Sequence, residues 1–477
     1  MTWKKCAEPK GGRRLNSLVL ALVGGGMMSA WAQESQGSAE VEETSSQPAV
    51  VGEDPEEQKM TPLARGRALA KEGKLREALP VLREAIDEGS LDAEELYALI
   101  LVRLDDPALY SEARTKLESA AKKGSLAALE EQGRLALEGG LGADPDYTLA
   151  RELLETAIKL PEASESFFLL GKMAAEGLGR RQDAALAVSL MRRGEQAGSA
   201  SAMLALGQLF LGEGGLVEQD LPQAEELFRK AYERKKKEAA FYLGMIEERL
   251  RGEEPAWDKA YQWFKKAAEL GSAQALKKMG DYTLAGRGGQ EKEAFGFYQA
   301  AASLKDAPSA YTLGLLYEQG RTVPQDQVAA AAWMRIAADR GHALAQNQLG
   351  LWLLKGLGVA PDFDEALVCF EKSAEQGFPT ARFNLAVLLL NGEKEEKEVE
   401  RALSLLKSAA EGDHPEAAAE LSKLHQAGKW LDQDPLEAAY WAARAARDQR
   451  FRQLAEEARE GLDASQQQEL AERLKTD

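Results

Sequence analysis

A register of alanines restricts this chain more than any other feature. An Ala opening an apolar helical pattern stands at positions 78, 113, 150, 187, 224, 260, 294, 330, 366, 402 and 438, eleven copies with steps of 34 to 37 residues. In the cleanest copy, Ala330-Trp333-Ala337-Ala338-Gly341, a bulky apolar residue follows at +3, an Ala pair at +7 and +8, and Gly at +11. Ala260-Trp263-Ala267-Ala268-Gly271 matches it, and Ala294-Phe297-Ala301-Ala302 and Ala438-Trp441-Ala445-Ala446 lack only the final Gly. A second pattern interleaves with the first: Leu-Gly, then Gly six residues after the first Gly, as in Leu170-Gly171 with Gly177, Leu313-Gly314 with Gly320 and Leu349-Gly350 with Gly356. Looser copies centre on Gly133, Gly207, Gly244, Gly280, Ala386 and Ser422. Chance does not hold a register over eleven copies, so the body of the chain is one repeated unit.

Offsets of three, four and seven place residues on one helix face. Each unit is therefore expected to be two helices, A and then B, joined by a Gly-rich turn such as Gly356-Leu357-Gly358-Val359, with Pro361-Asp362 opening the next helix. The Ala pairs let helix B approach its neighbours closely, and the Gly of Leu-Gly allows the same on helix A. A unit of about 36 residues cannot close a core alone, so stacking is obligatory. A length of 477 residues would ordinarily suggest about three domains. The register replaces that expectation with an all-α fold: one α/α solenoid of about eleven two-helix repeats over residues 61–450, closed by a C-terminal capping helix over 451–477. That last helix is expected from Phe451 to Leu474, interrupted near Gly461, with Leu454, Ala458, Leu462, Leu470 and Leu474 as its apolar face.

Leu313-Gly314-Leu315-Leu316-Tyr317-Glu318-Gln319-Gly320, followed by Ala330-Ala331-Ala332-Trp333 and Ala337-Ala338-Asp339-Arg340-Gly341-His342-Ala343, resembles the Sel-like repeat, a relative of the tetratricopeptide repeat with longer, Gly-rich turns. The resemblance covers roughly residues 62–450 and is strongest from 165 to 412. The first unit, with Gly66, Leu82 and Ala85, is closer to an ordinary tetratricopeptide repeat, Glu247 stands where the family has an aromatic, and the third repeat ends Lys159-Leu160-Pro161 instead of in Gly. The resemblance implies a right-handed superhelix that binds proteins or peptides and carries no conserved active site. Members linked to β-lactam hydrolysis or penicillin binding have a disulfide in each repeat, which this chain lacks.

The N-terminus reads as an address. Lys4, Lys5, Lys10, Arg13 and Arg14 precede an apolar run from Leu18 to Met28 and the small residues of Ala30-Trp31-Ala32, the pattern of a secretory signal over 1–32. The run is far shorter than the roughly 20 residues of a membrane span. Residues 33–60 carry eight carboxylates against Lys59 and almost no large apolar residue, which suits a disordered acidic tether. These readings make an exported bacterial protein, periplasmic or extracellular, with no stable membrane span once the signal is removed. The formal charge of −18 then becomes about −22. Such acidity disfavours nucleic acid, whose affinity rests on phosphate contacts, and favours a basic partner if charge selects one.

The remaining residues offer little chemistry. Cys6 leaves with the signal, and Cys369 occupies the +3 slot held elsewhere by Trp263, Phe297, Trp333 and Trp441, so it is expected as a buried, inert thiol. Two cysteines build neither a disulfide framework nor a thiolate zinc site. His342 and His414 occupy equivalent slots two repeats apart, on the order of 20 Å in a helix stack, too far to share a metal, and His425 falls in a structural slot of helix A. Gly212-Glu213-Gly214-Gly215 and Gly286-Arg287-Gly288-Gly289 follow helices and precede no Lys-Ser or Lys-Thr pair, so they are A-to-B turns and not phosphate loops. No Gly-x-Ser-x-Gly motif occurs after the signal. No cofactor, no metal and no catalytic residue is assigned, and the leading expectation is a non-enzymatic scaffold or adaptor. An envelope enzyme acting on peptidoglycan or β-lactams and a purely structural envelope protein remain as alternatives. The candidate binding surface is the helix-A face at offsets −3, +1, +4 and +5 from the Leu-Gly glycine. It is most apolar at Tyr311, Leu315, Leu351, Leu354, Phe383, Val387 and Leu390, where a peptide or helix is expected to dock.

Overall fold

The computed structural model describes residues 60–476, apart from 213, 252–253 and 392–395. The signal read over 1–32 and nearly all of the tether read over 33–60 lie outside the described residues. Among those described there are 24 α-helices and no strand, and each helix packs against the one that follows it in its pair. None of these helices is long and apolar enough to cross a membrane. The helices fall into two compact units that meet in sequence at Ser272 and Ala273.

The first unit stacks six helix pairs: Pro62–Lys71 with Leu75–Asp87, Leu91–Leu104 with Tyr110–Lys122, Leu126–Glu138 with Tyr147–Ala157, Ser164–Glu176 with Ala184–Gln196, Ala200–Phe210 with Leu221–Glu233, and Ala239–Arg251 with Glu254–Glu269. The second stacks five: Ala273–Leu284 with Ala294–Ser303, Ala307–Gln319 with Gln327–Asp339, Ala343–Lys355 with Phe363–Glu375, Pro379–Asn391 with Glu396–Glu411, and Pro415–Ala427 with Pro435–Ala445, followed by the terminal helices Arg452–Glu460 and Ala464–Thr476.

Two kinds of small residue hold each pair together. The eleven leading alanines are all at most 1% exposed. The helix-A glycines lie under the residue at +4 of the partner helix B. A Cβ on Gly133 would stand 2.7 Å from Leu154, one on Gly207 2.7 Å from Phe228, and one on Gly350 2.8 Å from Phe370. No real Cβ tolerates such distances, so glycine here is a packing requirement. The close backbone approach that the sequence suggested is present at Gly314, where a Cβ would stand 3.2 Å from the Ala330 carbonyl oxygen, and at Gly133, Gly207 and Gly350 a large side chain lies on the bare helix backbone.

The caps repeat with equal regularity. Helix B opens on Asp146, Asp183, Asp220, Asp326, Asp362 or Asp434, each carboxylate accepting a backbone N–H of the first turn. The backbone N–H of the same Asp donates back to helix A, for example Asp146 to the Ala136 carbonyl at 2.7 Å and Asp362 to the Leu353 carbonyl at 3.2 Å, which closes the turn. Within that turn Gly358 has φ 68° and sits against the Gln327 carbonyl with no room for a side chain. The clusters at Gly212 and Gly286 also lie in A-to-B turns.

The interruption expected near Gly461 divides the terminal segment into two helices, Arg452–Glu460 and Ala464–Thr476. The chain turns at Gly461 because Asp463 caps the second helix: Gln466 N–H donates to its carboxylate at 2.9 Å, and the Asp463 N–H donates to the Gln466 amide oxygen at 3.0 Å. Both helices pack on Pro435–Ala445 and bury Ala458, Leu462 and Leu470.

Candidate functional site

The helix-A row at Tyr311 to Leu390 lies entirely within the second unit. Its members share the same register positions on consecutive A helices, and Asn384 joins two of these helices by donating to the Asn347 side chain at 2.8 Å. Tyr311, Leu315 and Leu351 are half-buried against one core cluster and Phe383 against the next. Val387 is half-buried, and Leu354 is 39% exposed.

Leu390 departs from the expectation of a surface residue. It is only 6% exposed and belongs to the core formed with Ala386, Ala402 and Leu406. The reason is local: helix Glu396–Glu411 starts six residues before its register alanine, earlier than its neighbours do, and Val399 in its first turn packs on the same cluster. Six of the seven residues therefore keep exposed surface, none of them fully.

The histidines explain the partial cover. The His342 ring stacks on Tyr311 with centroids 4.7 Å apart, and His414 stacks on Phe383 at 4.8 Å. Each imidazole also caps its helix: Nδ1 of His342 accepts from Ala345 N at 3.2 Å and Nδ1 of His414 from Ala417 N at 3.3 Å. Ser90, Ser125, Ser199 and Asp306 fill the same slot in other repeats. Burial holds both histidines below the ordinary imidazole range, against the opposing pull of Asp306 on one and Glu416 on the other. His425 hydrogen-bonds the Asp432 carbonyl at 3.2 Å. All three histidines thus serve the helix framework.

Cys369 is 8% exposed, and burial pushes its thiol up to about 11, which leaves it protonated and weakly reactive at neutral pH. Among the described residues no group of three His, Cys, Asp or Glu side chains is placed to hold a metal ion.

The sequence reading missed the side of the repeat where successive B helices meet. Large apolar side chains on a B helix stand more open than any in the helix-A row: Phe363 is 54% and Val368 44% exposed. A cavity of about 770 Å³ also lies on that side of the repeat, in the first unit, between Tyr110–Lys122 and Tyr147–Ala157. Leu129, Leu135 and Ala136 of helix Leu126–Glu138 line it from below. Its seam with the next repeat combines positions from two registers, which is why reading one repeat at a time did not reveal it.

The Sel1 repeat model matches residues 132–161, 165–199, 200–235, 237–272, 273–306, 307–342, 343–378, 379–414 and 415–449. The two helix pairs before residue 126 are built on the same alanine register and lie outside these matches. Among solved structures, the chain is similar to a Sel1 repeat protein from Oxalobacter formigenes, at 26% identity over 72% of this chain and 96% of that one, with a TM-score of 0.48. It is also similar to a protective antigen of uropathogenic Escherichia coli displaying an SLR fold, at 23% identity over 82% of this chain and 92% of that one, with a TM-score of 0.44. No curated protein matches the chain. Nine matched stretches covering more than half of the residues show that this chain belongs to the Sel1 repeat family, a group of helical repeat proteins that generally mediate protein–protein interaction.

Proposed function

We propose that this protein is an exported scaffold or adaptor that binds a peptide or protein partner along the helix-A face of Ala307–Asn391. One observation carries the reading: consecutive A helices present incompletely covered apolar side chains at matching positions, namely Tyr311, Leu315, Leu351, Leu354, Phe383 and Val387. A row of that kind suits an extended or helical segment inserting apolar anchors at regular spacing. The excess of 78 acidic over 60 basic residues favours a basic partner. Sel1 repeat scaffolds are typically non-catalytic, in keeping with a binding role.

Cross-linking in the native compartment, followed by mass spectrometry, should yield one dominant adduct. Leu351→Asp combined with Val387→Asp should abolish that adduct while the helical circular dichroism persists; an undiminished adduct would remove this face from consideration. Export rests on Lys4 to Arg14, the run Leu18–Met28 and Ala30-Trp31-Ala32. N-terminal sequencing of the protein from the periplasm or medium should begin at Gln33, and a chain retaining Met1 in the cytosol would refute it.

A further inference from the structure

The cavity between Tyr110–Lys122 and Tyr147–Ala157 has a filled counterpart in the same unit. Counting from the register alanine, the seam between successive B helices pairs position +8 of one with +3 of the next. Between Leu221–Glu233 and Glu254–Glu269 these are Tyr232 and Trp263, whose rings meet edge to face with centroids 5.5 Å apart. Arg229 at +5 and Lys266 at +6 place their cations 5.9 and 4.4 Å from the Trp263 ring. At the cavity the same four positions are Ala121, Leu153, Glu118 and Thr156, and all four line it.

Where +3 lacks an aromatic ring, other seams close differently. In the second unit Arg335 at +5 pairs with Glu365 at −1 of the next helix, and Glu371 pairs with Arg401 in the same geometry at 2.8 Å. At the cavity those positions are Glu118 and Leu149, which cannot pair. Glu118 turns to Lys122 of its own helix at 2.5 Å, and Leu149 stands 45% exposed at the rim. Neither closing device is available, and the groove stays open.

We propose that this groove is a docking site for a partner protein segment carrying an aromatic side chain next to Lys or Arg. The ring takes the place that Trp263 holds in its own seam, lying on Leu153 and Ala121. The partner brings the cation because both positions that supply cations around Trp263 are uncharged or acidic here. Glu118 and the exposed carboxylates of Asp144 and Asp146 at the cavity wall are complementary to it. Both cations that line the cavity are already engaged, Arg114 by the Leu141 carbonyl and Lys122 by Glu118, which leaves the carboxylates in excess at the wall. The site lies in the other unit from the helix-A row and does not depend on that row binding anything.

The test uses the full exported chain and fluorescein-labelled peptides with Gly-Ser flanks, read by anisotropy. A Lys-Trp-Lys peptide should bind saturably, and Lys-Ala-Lys and Glu-Trp-Glu peptides at least about tenfold more weakly, as expected for loss of an aromatic anchor or of charge complementarity. Leu153→Trp, which supplies the missing ring from within, should weaken the Lys-Trp-Lys peptide by a similar factor. Glu118→Lys, at an exposed position, should weaken it several-fold without a folding risk. Leu351→Asp with Val387→Asp should leave it unchanged, which separates this site from the helix-A proposal. Equal binding of the Trp and Ala peptides, no saturable binding, or full binding to both the Leu153→Trp and Glu118→Lys variants would overturn the proposal.

Discussion

The seam at Leu153 and the seam at Cys369 start from the same deficit and end differently. Both lack the aromatic ring at +3, and both face an alanine at +8, Ala121 in one case and Ala338 in the other. The first is an open groove, whereas the second is closed over a buried Cys369 by the Arg335–Glu365 pair. The helix pairs beneath them are alike: Gly133 lies under Leu154 as Gly350 lies under Phe370, and Asp146 caps its helix as Asp362 does. The register positions therefore build the stack, and the seam positions −1, +3, +5 and +8 are left to vary. A repeat protein can acquire a pocket at such a seam without changing its fold.

The largest expected effect separates register from seam. Gly350→Ala brings a Cβ to 2.8 Å from the Phe370 ring, which is held on all sides in the core. Overpacking of this kind costs about 1–3 kcal/mol, against roughly 1 kcal/mol gained from helix propensity. Gly296 is exposed in helix Ala294–Ser303, and a methyl group added there would meet nothing within 4 Å. It has only the gain, so Gly296→Ala should stabilise by about 0.5–1 kcal/mol. Hydrogen exchange within Ala343–Glu375 and Ala294–Ser303 reads each change locally. Equal effects at the two glycines would show that packing over the helix-A glycine is not what fixes the pair.

The same distinction governs what the sequence disclosed. Alanines at 34- to 37-residue steps and the Leu-Gly glycines are single-position requirements repeated in one register, so spacing alone exposed the helix pairs and their core. The helix-A row was legible in direction but not in cover, because Tyr311 and Phe383 are overlaid by His342 and His414 of the next repeat. Leu390 was misplaced because an early start of helix Glu396–Glu411 has no periodic signature. The groove was missed because it is made by what two neighbouring repeats both lack. Its signal was available: Ala121 and Leu153 stand where Tyr232 and Trp263 meet.

Smaller effects follow from the seams themselves. Leu153→Trp should raise stability by about 1 kcal/mol, as cavity-filling substitutions do, seen as an upward shift in Tm and slower exchange in Tyr147–Ala157. An unchanged or lower Tm would mean that the ring does not enter the groove. In the other direction, Arg335→Ala removes a partly exposed ion pair worth about 0.5 kcal/mol. Its clearer consequence is access: Cys369 should react several-fold faster with a thiol reagent at pH 8, although its thiol remains poorly ionised. An unaltered rate would show that the pair does not close the seam.

The smallest effect concerns pH and sets one unit against the other. In the second unit His342 and His414 cap helices through Nδ1, which can accept an N–H only while it is unprotonated. Burial lowers both from the ordinary value of 6.5, so on acidification the unfolded chain takes up these protons before the folded one does. Their contribution is complete above about pH 6.5 and is lost as pH falls through the lowered folded values. In the first unit the matching caps are Ser90, Ser125 and Ser199, which do not titrate. Glu130 there is shifted the opposite way: burial raises it despite two hydrogen bonds from Ser166 at 3.0 and 2.8 Å. A carboxyl raised in the folded state binds its proton before the unfolded chain does, so its contribution grows as pH falls toward 4.5. Hydrogen exchange at pH 7 and pH 5, corrected for intrinsic rates, should therefore show helices Ala343–Lys355 and Pro415–Ala427 losing protection while Leu126–Glu138 does not. His342→Asn with His414→Asn retains a capping side chain without a titrating ring and should abolish the difference. If the double variant keeps the full pH dependence, the loss arises elsewhere in the second unit and not at the capping imidazoles.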